Sequence, residues 1–226
     1  MLSQIYVVIP VYNEARVIAG VVGEIRAAGY HHIIAVDDGS ADNTTEVLGQ
    51  LPVWVIRHRL NRGKGAAVAT GLAAARALGA DIVVTMDGDG QHDPTDIAAL
   101  IEPLRTGQCD ATLGTRLLDP VGMPRTRVIA NKLGNLLTWA IHGLWVTDSQ
   151  SGFRAYSRHA ISVIDTRTDR YAYDSAVIRE LRAHNLRYQE VPIKVRYTAY
   201  SMTKKHRQHY FNGLQTIGRM VWNLLS

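Results

Sequence analysis

Two carboxylates bracketing a glycine, Asp87-Gly88-Asp89, close a β-branched run over residues 82–86. Residues two apart in an extended or turning backbone can point to one side. Asp87 and Asp89 are therefore able to share a hard cation, or to divide between a cation and a polar substrate group. Asp-Gly is also ordinary turn chemistry. Gly88 is expected to leave the approach open. Two further polar clusters, Tyr12-Asn13-Glu14 and Asp37-Asp38, follow apolar runs at 5–9 and 33–36. A different chemistry is offered by Arg116, Arg125 and Arg127, which precede a helical stretch containing Asn131 and Asn135. Cations beside the free N–H groups of a helix start make an anion site, although loop arginines are also plain surface residues. Asp148 precedes Ser151-Gly152-Phe153 and is the carboxylate best placed to act as a base or to order that loop.

Those residues need elements to hold them. Apolar runs at 5–9, 33–36, 53–56, 82–86 and 111–115 predict strands. Between them, helical patterns open at 11–14 and run to about 28, then cover 42–51, 66–78 and 94–104, the last with Pro94 in its first turn. Strands separated by helices of this length imply right-handed crossovers and a mostly parallel α/β sheet with helices on both faces. Ligands of such sheets bind beyond the carboxyl ends of the strands, where Tyr12-Asn13-Glu14, Asp37-Asp38 and Asp87-Gly88-Asp89 all fall. A dinucleotide site would place Gly-x-Gly-x-x-Gly after the first strand, where Pro10-Val-Tyr-Asn-Glu14 stands instead. Gly63-Lys64-Gly65 lacks the phosphate-loop spacing, so Lys64 reads either as a phosphate contact or as a solvated loop lysine.

At 226 residues, with 46% hydrophobic and 20% charged residues, the chain is long enough for one substantial core. Its one cysteine, Cys109, excludes an intrachain disulfide and a cysteine zinc site and reads as inert. The start of the chain lacks the pattern of a secretory leader, which fits a cytoplasmic protein. A formal charge of +5 and a pI near 9.4 point to an anionic partner, with the basic excess in the second half. Nucleic acid is not the partner expected.

The ordered set Val8-Ile-Pro-Val-Tyr-Asn-Glu14, Val36-Asp-Asp-Gly-Ser40, Asn61-Arg-Gly-Lys-Gly65, Met86-Asp-Gly-Asp-Gly-Gln91 and Gly114-Thr-Arg116 resembles the family 2 glycosyltransferases. Asp148-Ser-Gln-Ser-Gly-Phe-Arg154 and Glu190-Val-Pro-Ile193 extend the resemblance to the branch of dolichyl- or polyprenyl-phosphate mannose and glucose synthases. The resemblance implies a GT-A, Rossmann-like domain over 1–205 and a C-terminal amphipathic helix over 206–226. It implies transfer from a nucleoside diphosphate sugar of the GDP-mannose or UDP-glucose type to a polyprenyl or dolichyl phosphate. Pro10, Tyr12, Glu14, Asp37 and Asp38 would frame the nucleoside. Asp87, Gly88, Asp89 and Gln91 would surround Mg²⁺ or Mn²⁺ and the diphosphate. Arg116, Arg127 and Asn131 would hold the acceptor phosphate, and Lys204, with Arg196 less directly, the donor diphosphate.

Residues 133–146 are apolar apart from Asn135, Thr138 and His142 but too short to span a bilayer, which takes about 20 residues. With Trp139 and Trp145 they suit an interfacial helix or a buried one. The spacing of Phe211, Leu214, Ile217, Val221 and Leu225 behind Lys204-Lys-His-Arg207 predicts an amphipathic helix for an anionic membrane surface or a membrane-anchoring partner protein. The expected protein is thus peripheral at the cytoplasmic face. The alternatives are a glycosyltransferase with a hydroxyl acceptor, a catalytically silent sugar-nucleotide-binding recruitment protein, and a nucleotidyltransferase.

Overall fold

In the computed structural model the described residues are 3–116, 135–136, 139–140, 143–165 and 173–196. The sheet is built around β1 (Ile5–Val11), where Val7, Ile9 and Val11 join one apolar cluster and Tyr6 and Val8 the other. A strand apolar on both sides must be covered on both sides. It pairs in parallel with β2 (His32–Asp37) and β4 (Ile82–Thr85), and β2 pairs in parallel with β3 (Trp54–Arg57). One face is covered by α1 (Ile18–Ala27), α2 (Thr44–Gly49) and α4 (Ile97–Arg105). The other is covered by α3 (Lys64–Ala77), α5 (Arg158–Val163) and α6 (Tyr173–Ala183).

The second half completes the sheet in the order β3-β2-β1-β4-β6-β5-β7. Strand β6 (Arg154–Ser157) runs antiparallel to both β4 and β5 (Ala111–Thr115), whereas β5 and β7 (Tyr188–Pro192) are parallel. The mostly parallel expectation holds, and β6 is the strand it missed: four residues headed by a buried arginine carry no alternation that marks a strand.

The helix expected to open at residues 11–14 opens at Ile18 instead. Val11 still pairs with Asp37, Asn13 takes φ 55°, and the amides of Asn13 and Glu14 each donate at 2.9 Å, to Ser40 Oγ and Thr44 Oγ1. The loop's donors are thereby committed to the β2–α2 loop. The helix expected from Pro94 begins as a 3-10 turn, Pro94–Asp96, before α4, with the Asp93 carboxylate accepting from the Thr95 amide at 3.0 Å. Smaller differences, α2 stopping at Gly49 and β3 spanning Trp54–Arg57, are slips at frayed ends.

Gly39 has φ 72°, and a Cβ there would lie 2.8 Å from the Leu60 carbonyl carbon. Only glycine lets the β2 loop lie against the loop that starts α3.

Candidate functional site

The carboxyl ends of β1, β2 and β4 meet at one rim, as the motif positions require. Asp37 is fully buried, accepting from the Ser40 amide at 2.9 Å and from Thr45 Oγ1. Asp38 is buried too, accepting from the amides of Arg62 at 3.0 Å and Gly63 at 2.6 Å, with His58 Nδ1 at 2.7 Å. Both side chains hold loops: Asp37 shapes the turn into α2, and Asp38 fixes the backbone that starts α3. Glu14 is buried, Pro10 lies in β1, and the Tyr12 ring is exposed at the rim.

Asp87 follows β4 and makes the densest electrostatic contact of the rim. Its Oδ1 lies 2.7 Å from Lys64 Nζ, and its Oδ2 lies 3.5 Å from Nε2 of the buried His92, whose ring packs on Phe153. Burial alone would raise the Asp87 pKa, but the Lys64 ammonium and His92 outweigh it and hold the carboxyl far below its usual range. Burial would likewise lower the Lys64 pKa, and Asp174 and Asp87 together push it above its ordinary value. Both shifts favour the ion pair. Asp89 accepts from the Gln91 amide at 3.0 Å and from the Gln91 side-chain amide, so Gln91 orients Asp89.

The expected role of Gly88 changes. It is buried, and a Cβ there would come within 3.3 Å of Ile9 Cγ2 and of the Pro10 carbonyl oxygen. Its lack of a side chain serves packing of the turn on β1, not an open approach.

On the other side of the cleft, Arg116 and Asp148 form a bidentate pair: Nε to Oδ2 at 2.6 Å, Nη2 to Oδ1 at 2.8 Å, with the Arg116 amide adding 3.1 Å to Oδ2. Asp148 is 2% exposed. The segment around it is clamped from several elements. Glu190 on β7 accepts from the Thr147 amide at 2.6 Å and from its hydroxyl at 2.8 Å. Asn135 accepts from the amide and hydroxyl of Ser149 and donates to the Thr147 carbonyl. Arg154, 1% exposed, donates to the carbonyls of Ser149 and Ser151, each at 2.8 Å, and of Asp174 at 3.2 Å.

Asp174, in the first turn of α6, lies 3.7 Å from Arg154 and 4.0 Å from Lys64. A line of alternating charge, Asp87, Lys64, Asp174, Arg154, thus joins the two halves of the site. Sequence reasoning singled out neither Arg154 nor the role of Lys64. Arg196 is directed elsewhere: it bridges Glu24 at 2.6 Å and Asp93 at 2.9 Å on the exterior. Arg125, Arg127, Asn131 and Lys204 lie outside the described residues, as does the stretch 206–226.

Hard oxygen donors at Asp87, Asp89 and Gln91 fit Mg²⁺ or Mn²⁺. Among the described residues no group of three or more His, Cys, Asp or Glu side chains is gathered for a metal. A thin protein shell of this kind suits an ion that takes most of its ligands from substrate phosphates and water, the usual manner of Mg²⁺.

Comparison with known proteins agrees with the geometry. Residues 6–164 match the family described as glycosyl transferase family 2. The UDP-N-acetylglucosamine–dolichyl-phosphate N-acetylglucosaminyltransferase of Methanococcus voltae is 39% identical over 222 residues, covering 88% of each chain. The polyprenol monophosphomannose synthase of Mycolicibacterium smegmatis is 30% identical, covering 85% of this chain and 76% of its own. Among solved structures, glucosyl-3-phosphoglycerate synthase from Mycobacterium tuberculosis, in complex with Mn²⁺, UDP and glucosyl-3-phosphoglycerate, superposes with a TM-score of 0.69 at 22% identity, over 95% of this chain and 80% of that one. That likeness establishes the GT-A fold. Fold, rim motifs and sequence matches converge, and the chain belongs to glycosyl transferase family 2.

Proposed function

We propose that the protein is an inverting glycosyltransferase that moves a sugar from a nucleoside diphosphate sugar to a polyprenyl or dolichyl phosphate. The closed Arg116–Asp148 pair carries this reading. A hydroxyl acceptor needs a base for its proton, and Asp148, the carboxylate best placed by sequence, is buried with both oxygens on Arg116. A phosphate monoester is mostly deprotonated at neutral pH, so its oxygen attacks the anomeric carbon without a base. Arg116, its guanidinium oriented by Asp148, is proposed to form the phosphate site together with Arg127 and Asn131. Of the relatives named above, one by name transfers N-acetylglucosamine to dolichyl phosphate and another makes polyprenol monophosphomannose.

On the donor side, Pro10, Tyr12 and Glu14 are proposed to line the nucleoside pocket, with Asp37 and Asp38 holding its loops. Asp87, Asp89 and Gln91 would hold Mg²⁺ or Mn²⁺, and Lys204 the diphosphate. The bound cation would supply positive charge to the diphosphate as the glycosidic bond breaks. Gln91 keeps the Asp89 carboxylate aimed, and Gly152 lies against the Lys64–Asp87 pair.

The test is a panel of UDP-N-acetylglucosamine, UDP-glucose and GDP-mannose with Mn²⁺ or Mg²⁺ and short polyprenyl phosphates. Transfer to the lipid phosphate with release of nucleoside diphosphate is the expected result. Release of inorganic diphosphate, or binding without turnover across the panel, contradicts it. In the active enzyme, Asp148→Asn should lower kcat while leaving the shape of the pH–rate profile. Loss of the acid-limb dependence would establish Asp148 as a base and a hydroxyl acceptor.

The same acceptor calls for a peripheral protein at the cytoplasmic face of a membrane, with 206–226 proposed as an interfacial helix. No helix among the described residues is long and apolar enough to cross a bilayer. Trp139 and Trp145 are 46% and 53% exposed and contact each other edge to face at 6.2 Å, the amphipathic pairing favoured at a headgroup boundary. Replacing both by Ser should reduce flotation on anionic liposomes with nucleotide binding unchanged. Equal flotation of the variant and the parent protein would refute the contact.

A further inference from the structure

The Asp87 carboxylate, proposed above as a metal ligand, is engaged by a cation of the chain itself. Lys64 is the first residue of α3, and its backbone root is fixed because Asp38 accepts from the amides of Arg62 and Gly63. From that anchor the side chain crosses the rim to Asp87 Oδ1 at 2.7 Å, with Asp174 Oδ2 at 4.0 Å on its other side. It remains one-third exposed, so its flexible stem has somewhere to go. Gly152 closes over the contact. A Cβ there would lie 2.8 Å from Asp87 Oδ1 and nearer still to Lys64 Nζ, and Thr85 Oγ1 pins the Gly152 carbonyl at 2.9 Å.

The charges decide what this arrangement does. Asp87, Lys64, Asp174 and Arg154 comprise two anions and two cations, so the group is neutral as it stands. A divalent ion arriving alone at Asp87 meets an ammonium already in contact, and of the proposed ligands Asp89 is the further carboxylate that offsets it. A divalent ion arriving on a nucleoside diphosphate brings its own negative charge, which can also draw the ammonium away. We infer that Lys64 is a built-in counter-cation that competes with the metal for Asp87, so that metal loading is conditional on the nucleoside diphosphate. This rests on the metal reading of the site. It adds an order of events: the nucleotide and the metal enter together, and the protein without nucleotide is kept from collecting metal.

The experiment is direct Mn²⁺ binding, read from the electron paramagnetic resonance signal of the free ion, with and without UDP or GDP. The protein is compared with Lys64→Met, Lys64→Gln and the charge-keeping Lys64→Arg. Without nucleotide, the Met and Gln variants should bind Mn²⁺ about tenfold or more tightly than the parent, and the Arg variant should resemble the parent. With nucleoside diphosphate the difference should narrow to a few-fold. Two neutral variants guard against one failing to fold, checked by thermal melting. Equal or weaker Mn²⁺ affinity in the neutral variants, while all proteins bind Mn²⁺ with nucleotide, overturns the inference alone. Absence of Mn²⁺ binding by every protein with nucleotide present overturns the metal reading and this inference with it.

Discussion

Asp89→Asn should lower turnover by a hundredfold or more while nucleoside diphosphate affinity, measured in EDTA, changes by no more than a few-fold. Asparagine preserves the shape of the turn, including an acceptor for the Gln91 amide now at 3.0 Å. It removes the negative charge that would hold a cation against the departing diphosphate. Interactions that grow as charge develops are felt in kcat, and losing one preorganised electrostatic partner typically costs about 10²–10³ in rate. EDTA should reproduce the defect in the parent protein. Steady-state kinetics beside calorimetric titration of UDP or GDP would separate the two quantities. A variant with near-parental kcat, together with indifference to EDTA, would remove Asp89 from the proposed metal site.

The second large effect is on stability. Arg154→Met should destabilise the fold by about 3–5 kcal/mol, because the guanidinium is 1% exposed and serves three backbone carbonyls. Methionine fills much of the space but donates nothing to the carbonyls of Ser149, Ser151 and Asp174. It also leaves Asp174 without one of its two cations. For a chain of this size that corresponds to a Tm lower by roughly 6–20 °C. Urea unfolding followed by circular dichroism would measure it. A loss below about 1 kcal/mol would mean that water replaces the arginine at little cost and that the buried network is not what orders this loop.

Much of the donor half was legible because its information is local. Apolar runs end in polar motifs at successive strand ends, and each motif lies within a few residues of the element that places it. Periodicity therefore located β2, β4 and β5 to within a residue and β1 to within two. What stayed hidden was set by partners remote in sequence. Asp148 could be read as a base or a loop-former until its pairing with Arg116, 32 positions away, settled which atoms it touches. Lys64 reads in sequence as a phosphate contact or a solvated loop lysine, and its ion pairs stay hidden because neither Asp87 nor Asp174 is near it in the chain. Gly88 was read from its own freedom, whereas its cause is Ile9 and Pro10 pressing from β1. Strand β6 left no pattern because its register comes from β4 and β5 on either side.

That inserted strand also bears on how such an enzyme can diversify. Strands β5 and β6 are neighbours in the sheet, and the Gly114 amide donates to the Phe153 carbonyl at 2.9 Å. The excursion between them begins and ends at one tied point. Lengthening it adds closure entropy only as the logarithm of its length, about 0.6 kcal/mol per doubling. The carboxylates of β2 and β4 belong to a separate run of backbone completed before Arg116. On the reading proposed above, change between Arg116 and Asp148 would alter what receives the sugar without touching that backbone, while the return of the chain through Gly152 and Arg154 keeps it tied to Asp87, Lys64 and Asp174.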